Sequence, residues 1–99
     1  MQRFEDWNAR LIAYVTRVAP LPFQWGKLDC ALFASGGVAA MTGVDLSEGL
    51  RGYKTLKGGL KIVRKAGFED HVDVFAKSLP PCPVLMAGPG DLAIISDEQ

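Results

Sequence analysis

The chain has 99 residues, 48% of them hydrophobic and 22% charged, with 11 basic side chains against 11 acidic ones. That length suits one domain with a single modest core. A net charge of zero leaves no basic footprint for nucleic acid, and no 18-residue apolar run is present to cross a membrane. The N-terminus carries Arg3, Glu5 and Asp6 and no apolar signal core, which favours synthesis in the cytoplasm. Cys30, Cys82 and the one histidine lack the spacing of a metal site, so neither a metal nor an organic cofactor is expected. In a reducing compartment a Cys30–Cys82 disulfide is disfavoured.

Over residues 4–18, Phe4, Trp7, Leu11, Tyr14, Val15 and Val18 recur at helical spacing and predict a first amphipathic helix. Pro20 and Pro22 end it, because neither can continue the ladder. Trp25-Gly26 then turns the chain toward a second helix, expected over residues 30–41 with Asp29 as its N-cap. That helix is rich in small residues, with Ala34, Ser35, Gly36, Gly37, Ala39 and Ala40 in close succession. Its adjacent glycines each cost about 1 kcal/mol of helix propensity. Close packing against its backbone must offset that loss, so the helix is expected to be central. Thr42-Gly43 is its stop signal.

Residues 45–52 form a loop in this reading, and a third helix follows over residues 55–66, with Leu56, Leu60 and Val63 inward and Gly67 closing it. Residues 70–79 make a shorter helix. Pro80, Pro81 and Pro83 stiffen an extended connector, Gly88-Pro89-Gly90-Asp91 is a turn, and residues 92–95 read as a buried strand. A lone strand leaves its backbone unpaired. Either residues 84–87 pair with it or partner strands lie beyond Gln99. The expected fold class is therefore α+β: a helical N-terminal half, then a short, truncated antiparallel sheet, as the N-terminal part of a longer domain.

Cys30 is the chemically pointed residue. It falls in the first turn of a helix, behind an acidic residue and after a glycine-bearing loop. Amides at a helix start are unpaired and carry partial positive charge, an environment that favours the thiolate, the nucleophilic form of cysteine. A small buried hydrophobe is the competing reading, since free cysteine is among the most buried residue types. Asp29 is read as a cap, Trp25 either as the wall of a cleft beside Cys30 or as core, and Gly26 as the turn that presents them. His71, the one histidine, follows Glu69-Asp70. It is either a surface residue at a helix start or, if it comes within hydrogen-bond reach of Cys30, the general base. Arg51 and Tyr53, flanking Gly52, belong to a solvated loop or a ligand contact. Gly58-Gly59 has no strand before it and no lysine–hydroxyl pair after it, so it is not a phosphate loop.

Phe23, Trp25-Gly26, Asp29-Cys30 and the helix after them resemble the nucleophile segment of the NlpC group of papain-like cell-wall cysteine peptidases. Gly90-Asp91-Leu92 is similar to the turn that opens that family's first core strand. The whole chain further resembles a small related family associated with phage tails and gene-transfer agents, through residues 7–14, 23–33, 41–45, 51–53 and 90–92. The resemblance implies Cys30 as a nucleophile and the stem peptide of peptidoglycan as substrate. It also implies a virion or tail association, with phage-tail proteins as partners. In the cell-wall peptidases the catalytic histidine follows the strand that the Gly-Asp-Leu turn opens, whereas this chain ends at Gln99, before that position. Three functions stay open: a cysteine hydrolase, a non-catalytic tail component that has lost the base, or a plain helical interaction module in which Cys30 is core.

Overall fold

Proline, glycine and short polar caps divide the chain into the elements of the computed structural model, which describes residues 2–93. Four helices follow in order: α1 (Trp7–Val18), α2 (Cys30–Thr42), α3 (Leu56–Lys65) and α4 (His71–Ser78). Three of them start on a side chain that accepts a hydrogen bond from an amide of the first turn. Asp29 accepts from Leu32, Thr55 from Gly58, and Asp70 from Asp73. Such a cap contributes about 1 kcal/mol. At the end of α3, Gly67 donates to Arg64 and Phe68 to Val63, the paired closure that a left-handed residue after the helix allows. Gly67 supplies that conformation with φ 100°.

The first helix begins at Trp7, three residues later than its apolar spacing suggests. The Phe4 amide donates instead to the Met41 carbonyl at 2.7 Å, near the end of α2. The N-terminal residues therefore spend their backbone on a tertiary contact. Arg3 extends the same attachment: it bonds Asp91 at 3.0 Å and the Pro89 carbonyl at 3.2 Å, and lies over the Trp7 ring.

The helices pack as two pairs, α1 on α2 and α3 on α4. Small residues in α2 let α1 approach closely. Tyr14 crosses Gly36 and donates its hydroxyl to the Phe33 carbonyl at 2.9 Å. A methyl group on Gly36 would lie 2.1 Å from that hydroxyl. Residues 43–55 connect the pairs and are held by polar contacts. Ser47 donates to Ser35 at 2.7 Å, Ser35 donates to the Leu32 carbonyl at 3.2 Å, and both serines are buried. Arg51 grips both oxygens of Asp45 at 2.7 and 3.0 Å, a forked pairing that fixes the loop's shape.

The expected α+β class is overturned. Among the described residues the domain is all-helical, with no strand and no sheet, and its only ladder-type pairing is an isolated bridge between Gln24 and Leu28. Residues 84–86 form a single 3-10 turn instead of a partner strand, closed by Met86 donating to Pro83 at 2.9 Å. The physical reason lies in the composition. Prolines at 80, 81 and 83 offer no amide donors to a ladder, and a short apolar run specifies no strand without a paired neighbour. Leu92 and Ala93 take no regular structure, and the rest of the expected strand, Ile94 and Ile95, lies outside the described residues. The turn over residues 88–91 is present, with Asp91 donating to the Gly88 carbonyl at 3.1 Å and accepting from the Gly88 amide at 2.8 Å.

Gly36→Ala is expected to lower stability by about 1–3 kcal/mol in urea denaturation, because the Tyr14 ring must shift to admit the methyl group. Gly88→Ala meets nothing within 4 Å and is expected to change stability little. At Gly36 the methyl group also recovers about 1 kcal/mol of helix propensity, so a Gly36→Ala chain more stable than the unaltered one by that full amount would show that α1 and α2 are not in close contact there.

Candidate functional site

Asp29 organises the loop that leads into α2. One of its oxygens accepts from the Leu32 amide at 3.0 Å, and the other accepts from the Gly26 amide at 3.1 Å and from the Tyr53 hydroxyl. Its side chain is almost wholly enclosed, with 4% exposed. Burial pushes the Asp29 carboxyl up, but the Tyr53 hydroxyl and the amides of Leu32, Gly26 and Ala31 outweigh that and hold it below its ordinary 3.8. Tyr53 responds in the opposite sense: burial first, then its bond to Asp29 and that residue's charge, push the phenol well above its ordinary 10.0.

Gly26 is required here by both conformation and space. Its φ is 73°, and a methyl group on it would fall 1.8 Å from the Tyr53 carbonyl oxygen. Its own carbonyl accepts from the Gly52 amide at 3.1 Å. The Trp25-Gly26 turn is thus clamped to residues 52–53, and Cys30 emerges directly behind the clamp as the first residue of α2.

Cys30 is a free thiol and exposed, which excludes the buried-hydrophobe reading. Its amide makes no hydrogen bond among the described residues, as the first turn of a helix leads one to expect. The residue stands on the lining of a cavity of about 210 Å³ between the two helix pairs. Leu32 comes from α2, Leu50 and Tyr53 from the connecting segment, Leu60 and Val63 from α3, and Val74 and Phe75 from α4.

His71 lines the same cavity. It is the first residue of α4, exposed, with Asp70 as the cap behind it. No hydrogen bond joins His71 to Cys30 among the described residues, although both face one space. Trp25 also lines the cavity, 39% exposed and stacked edge-on against Phe23 at 4.8 Å. Gly26 and Asp29 act on the loop's shape: the first does not line the cavity, and the second has its oxygens committed inward. Arg51 holds Asp45 and takes no part in the cavity lining. Cys82 is exposed and lies away from the cavity. No group of three or more His, Cys, Asp or Glu suited to a metal gathers among the described residues, and no helix there is long and apolar enough to cross a membrane.

Sequence reasoning missed the role of Tyr53. The residue stands out only as one flank of a glycine in a loop, and nothing local ties its hydroxyl to a carboxylate in a distant turn. The small-residue helix was a signal for close packing but not for the buried Ser35–Ser47 pair.

These features define a small domain, all-helical among the described residues, that opens an apolar cavity beside an exposed, helix-initial cysteine. The chain belongs to the family described as domain of unknown function DUF6950, whose model matches residues 2–99. No curated protein and no solved structure matches the chain.

Tyr53→Phe is expected to cost about 1.5–3 kcal/mol at neutral pH, the range for a hydrogen bond to a charged group. The sign follows from the two shifts. Asp29's lowered value contributes stability that is complete above 3.8 and lost as pH falls through the lowered value. Tyr53's raised value contributes stability that is complete below 10.0 and lost as pH rises beyond it. The gap between variant and unaltered chain in urea melts should therefore be flat between those limits and narrow outside them. A gap of zero at neutral pH would show that the bond contributes nothing.

Proposed function

We propose that the chain is a thiol-dependent acyl-transfer enzyme of the cysteine hydrolase type, with Cys30 as nucleophile and His71 as proton carrier. One observation carries this reading: Cys30 is exposed at the start of α2, on the lining of a cavity that also holds the chain's one histidine. Apposition of a thiol and an imidazole is the usual arrangement for activating a cysteine. The missing hydrogen bond between them does not oppose it, because such bonds are often long or unformed until substrate binds.

In the proposed cycle His71 takes the thiol proton and the Cys30 sulfur attacks the carbonyl carbon of the acyl donor. The new sulfur–carbon bond gives a tetrahedral oxyanion, whose collapse restores the carbonyl and breaks the bond to the leaving group, which takes the proton from His71. Water then attacks the thioester while His71 accepts its proton. The sulfur–carbon bond breaks, the acid departs, and the thiol recovers its proton. The Cys30 amide, unpaired among the described residues, supports this reading as a donor to the oxyanion at each tetrahedral stage. The stem peptide of peptidoglycan as acyl donor, and a phage-tail setting, rest on the sequence resemblance alone.

The second reading, a non-catalytic assembly component, is favoured by the absence of a formed Cys30–His71 pair. Hydrolysis of activated esters separates the two. The unaltered chain is expected to hydrolyse them, with loss to background in Cys30→Ser and a decrease of ~100- to 10,000-fold in His71→Ala. Activity that survives Cys30→Ser would exclude the nucleophile, and an inert unaltered chain would leave the assembly reading standing.

A further inference from the structure

We infer that the cavity beside Cys30 selects an uncharged, apolar substituent on the acyl donor, a short aliphatic chain or an arylalkyl group. This rests on the reading of Cys30 as nucleophile and adds what that nucleophile is offered. The argument begins with size. At about 210 Å³ the cavity is smaller than the roughly 300–1,000 Å³ of sites that enclose a whole drug-sized ligand. It is larger than the roughly 150 Å³ cavity that holds benzene. It therefore takes one substituent, with the reacting carbonyl left at the lip beside Cys30.

The lining sets the chemistry. Leu50, Leu60, Val63, Val74 and Phe75 present hydrocarbon. The polar side chains Asp29, Ser47 and Tyr53 also line it, but their hydrogen bonds are turned into the protein. Asp29 serves Gly26, Leu32 and Tyr53, and Ser47 donates to Ser35. No buried side-chain nitrogen or oxygen among the described residues lacks a partner. The exposed Trp25, Cys30 and His71 are the other polar-bearing lining residues; a polar group entering among the leucine and valine side chains instead would lose its water and find no free partner there. No lysine or arginine lines the cavity and its one histidine, His71, is exposed, so a carboxylate buried among the aliphatic side chains would be unpaired there, with the negative charge of Asp29 nearby. An apolar group meets no such penalty and gains from leaving water.

The test is the alkylation rate of Cys30 in the full chain carrying Cys82→Ser, using iodoacetamides substituted on nitrogen with methyl, butyl, hexyl or carboxypentyl groups. Rates are divided by those at Cys82 in a Cys30→Ser chain, which cancels the intrinsic reactivity of each reagent. The expected result is an increase of up to about fourfold per added methylene from methyl to hexyl, with no such gain for carboxypentyl. Leu60→Trp, which fills the cavity, is expected to abolish the gain. Leu56→Trp, at a cavity residue that is half exposed, provides a second filling variant that puts less strain on the core. Equal normalised rates for methyl and hexyl, or an equal gain for carboxypentyl, would overturn the inference. Alkylation needs no turnover, so a chain-length preference without ester hydrolysis would support the cavity assignment and remove the enzyme. Hydrolysis without a preference would do the reverse.

Discussion

The Asp29 carboxylate is the contact on which the rest of the site depends. It caps α2 through Leu32, holds the turn at Gly26, and receives the Tyr53 hydroxyl from the segment that leads into α3. Three stretches of chain converge on one charged group that is almost wholly enclosed. Removing a partner from a buried charge is costly, because the remaining group cannot recover its water. The same three bonds that stabilise the ion also set where α2 begins. The position of Cys30 follows from that starting point.

The cavity follows from the way the two helix pairs meet. The segment connecting the α1–α2 and α3–α4 pairs is fastened to α2 and its cap by polar clasps, Asp29 with Tyr53 and Ser35 with Ser47, and beside it the aliphatic side chains leave space unfilled. Protein interiors are ordinarily close-packed, so a void of this size beside an exposed thiol is a feature of the site. Three helices begin at this void, two of them, α2 and α4, with chemistry at their first residue. Those two each have an aspartate as cap and carry a chemically competent side chain in first position, Cys30 in α2 and His71 in α4. Residues distant in the chain thereby share one opening.

What was legible in the sequence was local. The cap Asp29, the helix starts at Thr55 and Asp70, which prove to be caps, and the stops at Gly43 and Gly67 mark helix ends, because their hydrogen bonds reach only a few residues along the chain. The small residues of α2 likewise announce a close neighbour, which Tyr14 proves to be at Gly36. What was not legible was tertiary. The Phe4 amide is claimed by Met41, so α1 starts late. The apolar run after Asp91 reads as a strand, yet the prolines before it supply no partner. Nothing near Tyr53 indicates that its hydroxyl belongs to Asp29, and nothing near His71 indicates that it shares a cavity with Cys30. Among the described residues the architecture is all-helical and carries none of the expected sheet, so the chemistry must be argued from the site itself.

The most direct test of the central contact is an NMR titration of the Asp29 carboxyl carbon, followed together with the amide protons of Gly26 and Leu32. The carboxyl is expected to titrate below 3.8, with both amide signals moving through the same midpoint as their shared acceptor gains a proton. A carboxyl that titrates at or above its ordinary value, with the two amides indifferent to it, would contradict the account.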